Sequence, residues 1–384
     1  MLNLRRPTSR RLALPFASAI AALILATSSV SAAAGWTGPK LVGPAGQCFN
    51  ASAVIDSAGR YHVAAECTSK APSVGLGSSV IRYSVSNADG SWTTTNFVQP
   101  PNQEDREPQL AIDGQTLWIA YSRNNPATCG FSWAGVYYRK RTLPNGSWSV
   151  PKLLGRAGDH LQSFRVVNGR IYATIDSNDS VYYETYANGL YQQFQITDAV
   201  GLSSLRVGSD GQARIVYEAA TSLRYARFTG DGFVKSTIPG TTKDDRAPQI
   251  VLDASNSAHV IWTHSAGPAC GDMEMSPVDG TYYATNRGGS WTPPAARLVS
   301  QDTGAKSLTV EVAGGRAHVV VAGDLGLWYY TKPAGGAWTS QKLSSAFASD
   351  TQIRQNQTTG SLFVAYVRGP DANVSSSVFD FTKP

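Results

Sequence analysis

An aromatic residue beside a glycine turn recurs along the chain at Trp36, Trp92, Trp148, Tyr191, Phe233, Trp291 and Trp338, at intervals of 42 to 58 residues. A tyrosine precedes each internal anchor by eight to ten residues: Tyr83, Tyr138, Tyr183, Tyr225, Tyr283 and Tyr330. Further upstream lie two alternating stretches joined by an Asp/Gly turn, plainest in "SAVIDSAGRYHVAAE", "PQLAIDGQTLWIAYS", "SLRVGSDGQARIVYE" and "PQIVLDASNSAHVIWTH". Alternation with period two buries one face of a strand, and Gly or Asp lets the backbone reverse tightly. Each unit therefore reads as inner strand, turn, second strand, variable loop, Tyr-bearing third strand, Gly turn and outer strand. Four antiparallel strands repeated at this length are the mark of a propeller blade, which buries its two faces against its neighbours.

The units begin near residues 46, 104, 159, 201, 244, 304 and 348, which makes seven. The last supplies three strands before Pro384, and the missing outer strand has its match at the other end in "GWTGPKLV", residues 35–42. A ring left open there would expose sheet edges. The expectation is an all-β, seven-bladed propeller, one domain over 35–384, closed by the N-terminal strand pairing into the last blade.

Residues 1–34 read differently. Arg5, Arg6, Arg10 and Arg11 precede the apolar "LALPFASAIAALILA" and the small-residue "SVSAAA". This is the pattern of a secretory signal peptide cleaved after Ala32 or Ala34, exported by the general route or, through its arginine pair, by the twin-arginine route. Its loss lowers the formal charge from +6 to +2, since it holds four arginines and no acid. The remainder has no Lys/Arg run of the kind that binds nucleic acid or lipid, and no membrane span. The four cysteines of an exported chain point to two disulfides.

The repeating Tyr and Trp read as packing between blades. His62, His259 and His318 share one second-strand position and read as scaffold for the same reason. In a propeller the short inner–second and third–outer turns lie on one face. The outer–inner and second–third connections lie on the other, where length variation collects here, so a site is expected on that face around the axis. Cys48 and Cys67 flank the Asp56–Gly59 turn symmetrically at its open end, a natural place for a bridge. Cys129 and Cys270 sit in the two long loops, of the second and fifth blades, and would form a strap across the channel mouth if paired.

Those two blades also share "EDREPQ" at 104–109 and "DDRAPQ" at 244–249. These motifs put Asp105, Arg106, Glu107, Asp244, Asp245 and Arg246 at the entrance of inner strands. Glu66, Arg123, Asp176, Glu218 and His264 lie at second-strand ends, and Asp159 and His160 enter the third blade. His160 and His264 do not repeat, which separates them from the scaffold histidines. The candidate catalytic set is Asp105, Arg106, Glu107, Asp245, Arg246, His160 and His264. Two carboxyl groups flanking a bond suit glycoside hydrolysis, and a His or Tyr base with an arginine suits β-elimination on a uronate. No cofactor fingerprint is present; Asp272 with Glu274 offers at most a cation such as calcium, without a calcium-loop spacing.

The turns "NADGSW", "LPNGSW", "NRGGSW" and "PAGGAW", each after a Tyr strand, resemble degenerate Asp-box (BNR) turns of sialidase-like β-propellers. The resemblance spans nearly the whole chain after residue 34 and is one of scaffold. Sialidases are six-bladed and hold the substrate carboxylate with three arginines, the first in a Phe/Tyr-Arg-Ile-Pro motif. Here "SFRVV" at 163–167 lacks the proline and lies in the third blade. The resemblance implies glycans as the ligand class. With the leader and the loop-rich face, the expectation is a monomeric, secreted protein with extracellular carbohydrate as partner, either a hydrolase or lyase with one pocket at the channel mouth, or a non-catalytic lectin or protein-binding scaffold.

Overall fold

The computed structural model describes residues 35–68, 79–97, 99–101, 103–125, 132–177, 180–265, 278–292, 298, 305–369 and 377–384. The leader expected over 1–34, Cys129, Cys270, Asp272 and Glu274 lie outside the described residues. Seven antiparallel sheets form a seven-bladed propeller with no helix among the described residues. The inner strands are Gln47–Ile55, Glu104–Asp113, His160–Val167, Ala199–Val207, Asp245–Leu252, Ala305–Ala313 and Ala348–Gln355. In the seventh sheet, Thr37–Leu41 lies outermost beside Ser377–Lys383, followed by Leu362–Arg368 and the inner strand. Lys40 pairs with Asp380 and Leu41 with Phe379, so the ring closes as the repeat requires.

The core is divided among the seams between blades. Seven hydrophobic clusters each draw on two adjacent blades, as where Ala53, Val63 and Ala65 of the first meet Phe363, Ala365 and Val367 of the seventh. The repeating aromatics sit at these seams. Trp148 packs edge-on against Tyr83 of the preceding blade at 5.2 Å, Trp291 against Tyr225 at 5.4 Å, and Trp338 against Tyr283 at 5.1 Å. The closing joint repeats the contact: Trp36 meets Tyr329 at 5.0 Å. Such pairs add ~0.5–1.5 kcal/mol each beyond the area they bury.

In the sixth blade Tyr329 therefore does what the spacing assigns to Tyr330. Register explains it, because Tyr329 faces Val320, two residues after His318, as Tyr83 faces Ala64, two after His62. Each of the three scaffold histidines bonds through Nδ1 to the hydroxyl of that tyrosine: His62 to Tyr83 at 2.6 Å, His259 to Tyr283 at 2.6 Å, His318 to Tyr329 at 2.7 Å. The imidazole orients the phenol, whose ring then receives the next blade's tryptophan.

Cys48 and Cys67 are directly opposed in register and form a disulfide. One further regularity positions the site. Every inner strand slips register against its second strand near the same end, at Phe49/Ser52, Arg106/Gln109, Leu161/Ser163, Ala199/Ser203, Arg246/Gln249, Ala305/Ser307 and Ser349/Gln352. A bulge re-aims the side chains around it. At this end of the ring the bulges turn Asn50, Glu107, Gln162 and Asp350 toward the axis.

Candidate functional site at the axial mouth

Four bulges place a non-glycine residue in the left-handed region: Asn50 (φ 51°), Glu107 (54°), Ala247 (51°) and Asp350 (47°). Side chains other than glycine adopt this conformation at a cost, so compensating contacts are expected. They are present. The Glu107 N–H donates to Glu66 Oε2 of the first blade at 3.3 Å, and the Ala247 N–H to Glu218 Oε1 of the fourth at 2.8 Å. Asn50 Nδ2 donates to Glu66 Oε2 at 2.9 Å, while its backbone N–H donates to the Asp350 carboxylate. Glu66 and Glu218 thus tie successive blades at the mouth, and Arg106 and Arg246 approach them at 3.8 and 3.6 Å.

Of the seven candidate residues, Glu107 and His160 line the axial cavity, a space of about 290 Å³. The His160 Nε2 contacts the Glu107 carboxylate across the seam between the second and third blades. Its ring stacks on Trp133, with centroids 4.6 Å apart and planes 14° off parallel. Both side chains stay partly open to solvent, Glu107 at 33% and His160 at 23%. A carboxylate and an imidazole joined in this way can pass a proton between them and a ligand.

The other five do not line that cavity. Asp105 is buried and accepts two bonds from Arg123, at 2.6 and 3.0 Å, and Arg123 lies 4.3 Å over the Tyr137 ring. Burial pushes the Asp105 carboxyl up, against the pull of Arg123. Arg106 bonds to Glu104 through Nε and Nη2, at 3.0 and 2.7 Å. In the fifth blade Asp245 accepts from Trp262 Nε1 at 2.8 Å and contacts His264 Nδ1 at 3.0 Å. Arg246 is half exposed. Among the flanking residues, Asp159 is buried and accepts the Arg156 N–H, and Asp176 pairs in register with His160.

The spacing of the sequence passes over two contributors to the mouth, Asn50 and Asp350. Burial holds the Asp350 carboxyl above the usual range, and the negative charges of Glu66 and Glu107 add to the effect. Such a group keeps its proton to higher pH and is suited to donate it. Their signal was present: Asn50, Glu107, Ala247 and Asp350 each stand two residues before Ser52, Gln109, Gln249 and Gln352. Aligning the inner strands on those polar residues finds all four.

No family model and no curated protein matches the sequence. Solved structures match over most of its length. A protein of unknown function from Dyadobacter fermentans is 11% identical with a TM-score of 0.56, over 91% of this chain and 99% of that one. NanB, a sialidase of Streptococcus pneumoniae, is 10% identical at 0.50, over 91% of this chain and 70% of that one. Trypanosoma rangeli sialidase is 10% identical at 0.52, over 88% of this chain and 55% of its own, so the match spans about half of that protein. At this identity the likeness is one of scaffold: the chain is a seven-bladed β-propeller similar in fold to sialidases.

Proposed function

We propose that this protein acts outside the cell on glycan chains, binding them across the axial mouth and hydrolysing a glycosidic bond there. Asp350 is the proton donor to the leaving oxygen, and Glu107, backed by His160, is the base that activates water. A carboxyl raised by burial beside a second carboxyl that is partly open to solvent is the kind of pairing such hydrolysis uses. Arg106, close to Glu66 and Glu104, orients the ligand from the rim, while Asp245, Arg246 and His264 stand outside the cavity in the fifth blade. The observation that carries this reading is the Glu107–His160 contact, stacked on Trp133 in the same cavity as Asp350. The sialidase-like scaffold supports a carbohydrate ligand, and the leader-like N-terminus with the Cys48–Cys67 disulfide supports export.

The test is a polysaccharide and oligosaccharide panel, scored for binding and for products. New reducing ends without unsaturation are expected, and Glu107→Gln should slow their release by about 10²–10⁴-fold while retaining binding. Products carrying a double bond would replace hydrolysis by β-elimination. Binding without any product would make the protein a lectin, and silence across the panel would overturn the glycan reading.

A further inference from the structure

Below the mouth the same cavity reaches a second layer of residues. The polar layer formed by Ser52, Gln109, Ser163, Ser204, Gln249, Thr309 and Gln352 occupies one register position in all seven inner strands. Two residues further along each strand stand Val54, Ala111, Arg165, Arg206, Val251, Glu311 and Arg354. Three arginines and one glutamate therefore surround the axis at a single level. Arg165, Arg206 and Arg354 all line the cavity.

A guanidinium has five N–H donors. Arg165 uses one Nη1 bond to the Phe164 carbonyl, and Arg206 one to the Leu205 carbonyl at 3.0 Å. Arg354 bonds the Ile353 carbonyl and Gln352 Oε1, both at 2.7 Å. Among the described residues no salt bridge joins Glu311 to any of the three. Burial pulls Arg206 down to about 9, and the charge of Arg354 adds to the effect. Burial likewise lowers Arg354 and raises Glu311. Glu311 offsets part of this charge, and three buried cations facing one carboxylate are costly unless a further anion joins them.

We infer that the shaft is a binding site for a small oxyanion, a free phosphate, sulfate or carboxylate, held by Arg165, Arg206 and Arg354 beneath the mouth. Planar guanidinium donors suit the oxygens of all three, and within their layer the three arginines outnumber the one glutamate, which sets the sign. The site lies deeper in the cavity that Glu107 and His160 line, and it does not rest on the glycan reading.

The experiment follows thermal unfolding of the full protein against inorganic phosphate, sulfate and acetate in the millimolar range, with sodium chloride holding ionic strength constant. A saturable rise in Tm is expected for at least one anion, since a ligand that binds only the folded state stabilises as its concentration passes Kd. Sulfate and phosphate also stabilise proteins by exclusion, but that response does not saturate. Arg206→Met should raise Tm without anion, by relieving repulsion from Arg354, and lose the saturable increment. Glu311→Gln, which removes the one acid of the layer, should tighten binding several-fold. A non-saturating response, or an increment shared equally by the parent, Arg206→Met and Glu311→Gln, would overturn the site.

Discussion

The second and fifth blades enter the ring through the same motif, yet they present different chemistry. In both, an Asp on the inner strand is buried, a residue in the left-handed conformation follows, and its N–H is taken by a glutamate of the preceding blade. In the second blade that residue is Glu107, whose carboxylate meets His160. In the fifth it is Ala247, which carries no functional group. The shared parts are the joint; the side chain at the turned position is where one joint differs from the other. The buried aspartates differ as well. Asp105 is locked to one arginine, whereas Asp245 distributes its bonds over Trp262, His264 and the Thr242 N–H.

The widest gap between the two blades should appear in turnover. Replacing Glu107 by Gln is expected to lower the rate on a cleaved glycan by about 10²–10⁴-fold, the usual worth of a positioned proton-transfer group. Ala247→Glu should change it by less than about twofold on the same scale. Equal effects at the two positions, measured under saturating substrate, would erase the contrast.

Stability should separate the aspartates next. Asp105→Ala leaves Arg123 buried without its partner and should cost about 3–5 kcal/mol in urea unfolding. Asp245→Ala removes hydrogen bonds spread over the Trp262 indole, the Thr242 N–H and the His264 ring and should cost about 1–3 kcal/mol.

A third contrast sets these charged joints against the neutral His–Tyr–Trp seams. Burial pushes His318 down to about 4. Its unfolded imidazole takes up a proton near the ordinary 6.5, so the unfolded state binds more protons between those values. The contribution of His318 is therefore complete above pH 6.5 and is lost as pH falls toward 4, by roughly 3 kcal/mol. Glu184 and Asp380, which burial raises to about 7, contribute with the opposite sign. The measurement is thus the difference in unfolding free energy between parent and His318→Gln across pH 4–7.5. A difference independent of pH would remove the imidazole from the account. The smallest effect is expected at Arg246, whose half-exposed side chain approaches Glu218 at 3.6 Å: Arg246→Ala should change stability by no more than about 1 kcal/mol.

The fold was legible because its determinants are local and repeated. Alternating strands, Gly turns and a Trp–Tyr pair recur often enough that the unpaired strand at one end identifies its place at the other. Cys48 and Cys67 were legible because a short hairpin leaves them opposite each other. The mouth was legible only in part, since it is made across blades. Glu107 and His160 stand 53 residues apart and meet at a seam. Asp350 and Asn50 reach the mouth through bulges, which shift register in a way that spacing along one strand does not reveal. The arginines of the shaft belong to inner strands that otherwise read as ordinary alternation, and only superposing all seven strands brings them to one level. Tyr329 rather than Tyr330 faces the seam for the same reason: one residue of register decides which phenol does so.

The closing strand carries a kinetic consequence. Thr37 hydrogen-bonds Thr382, a partner 345 positions away, whereas most other sheet contacts link neighbouring hairpins. Contacts so distant in the chain form late and are the slowest to be rewarded. The circle is therefore fastened by a latch, and mechanical pulling or amide exchange should report it releasing before any other staves of the barrel part.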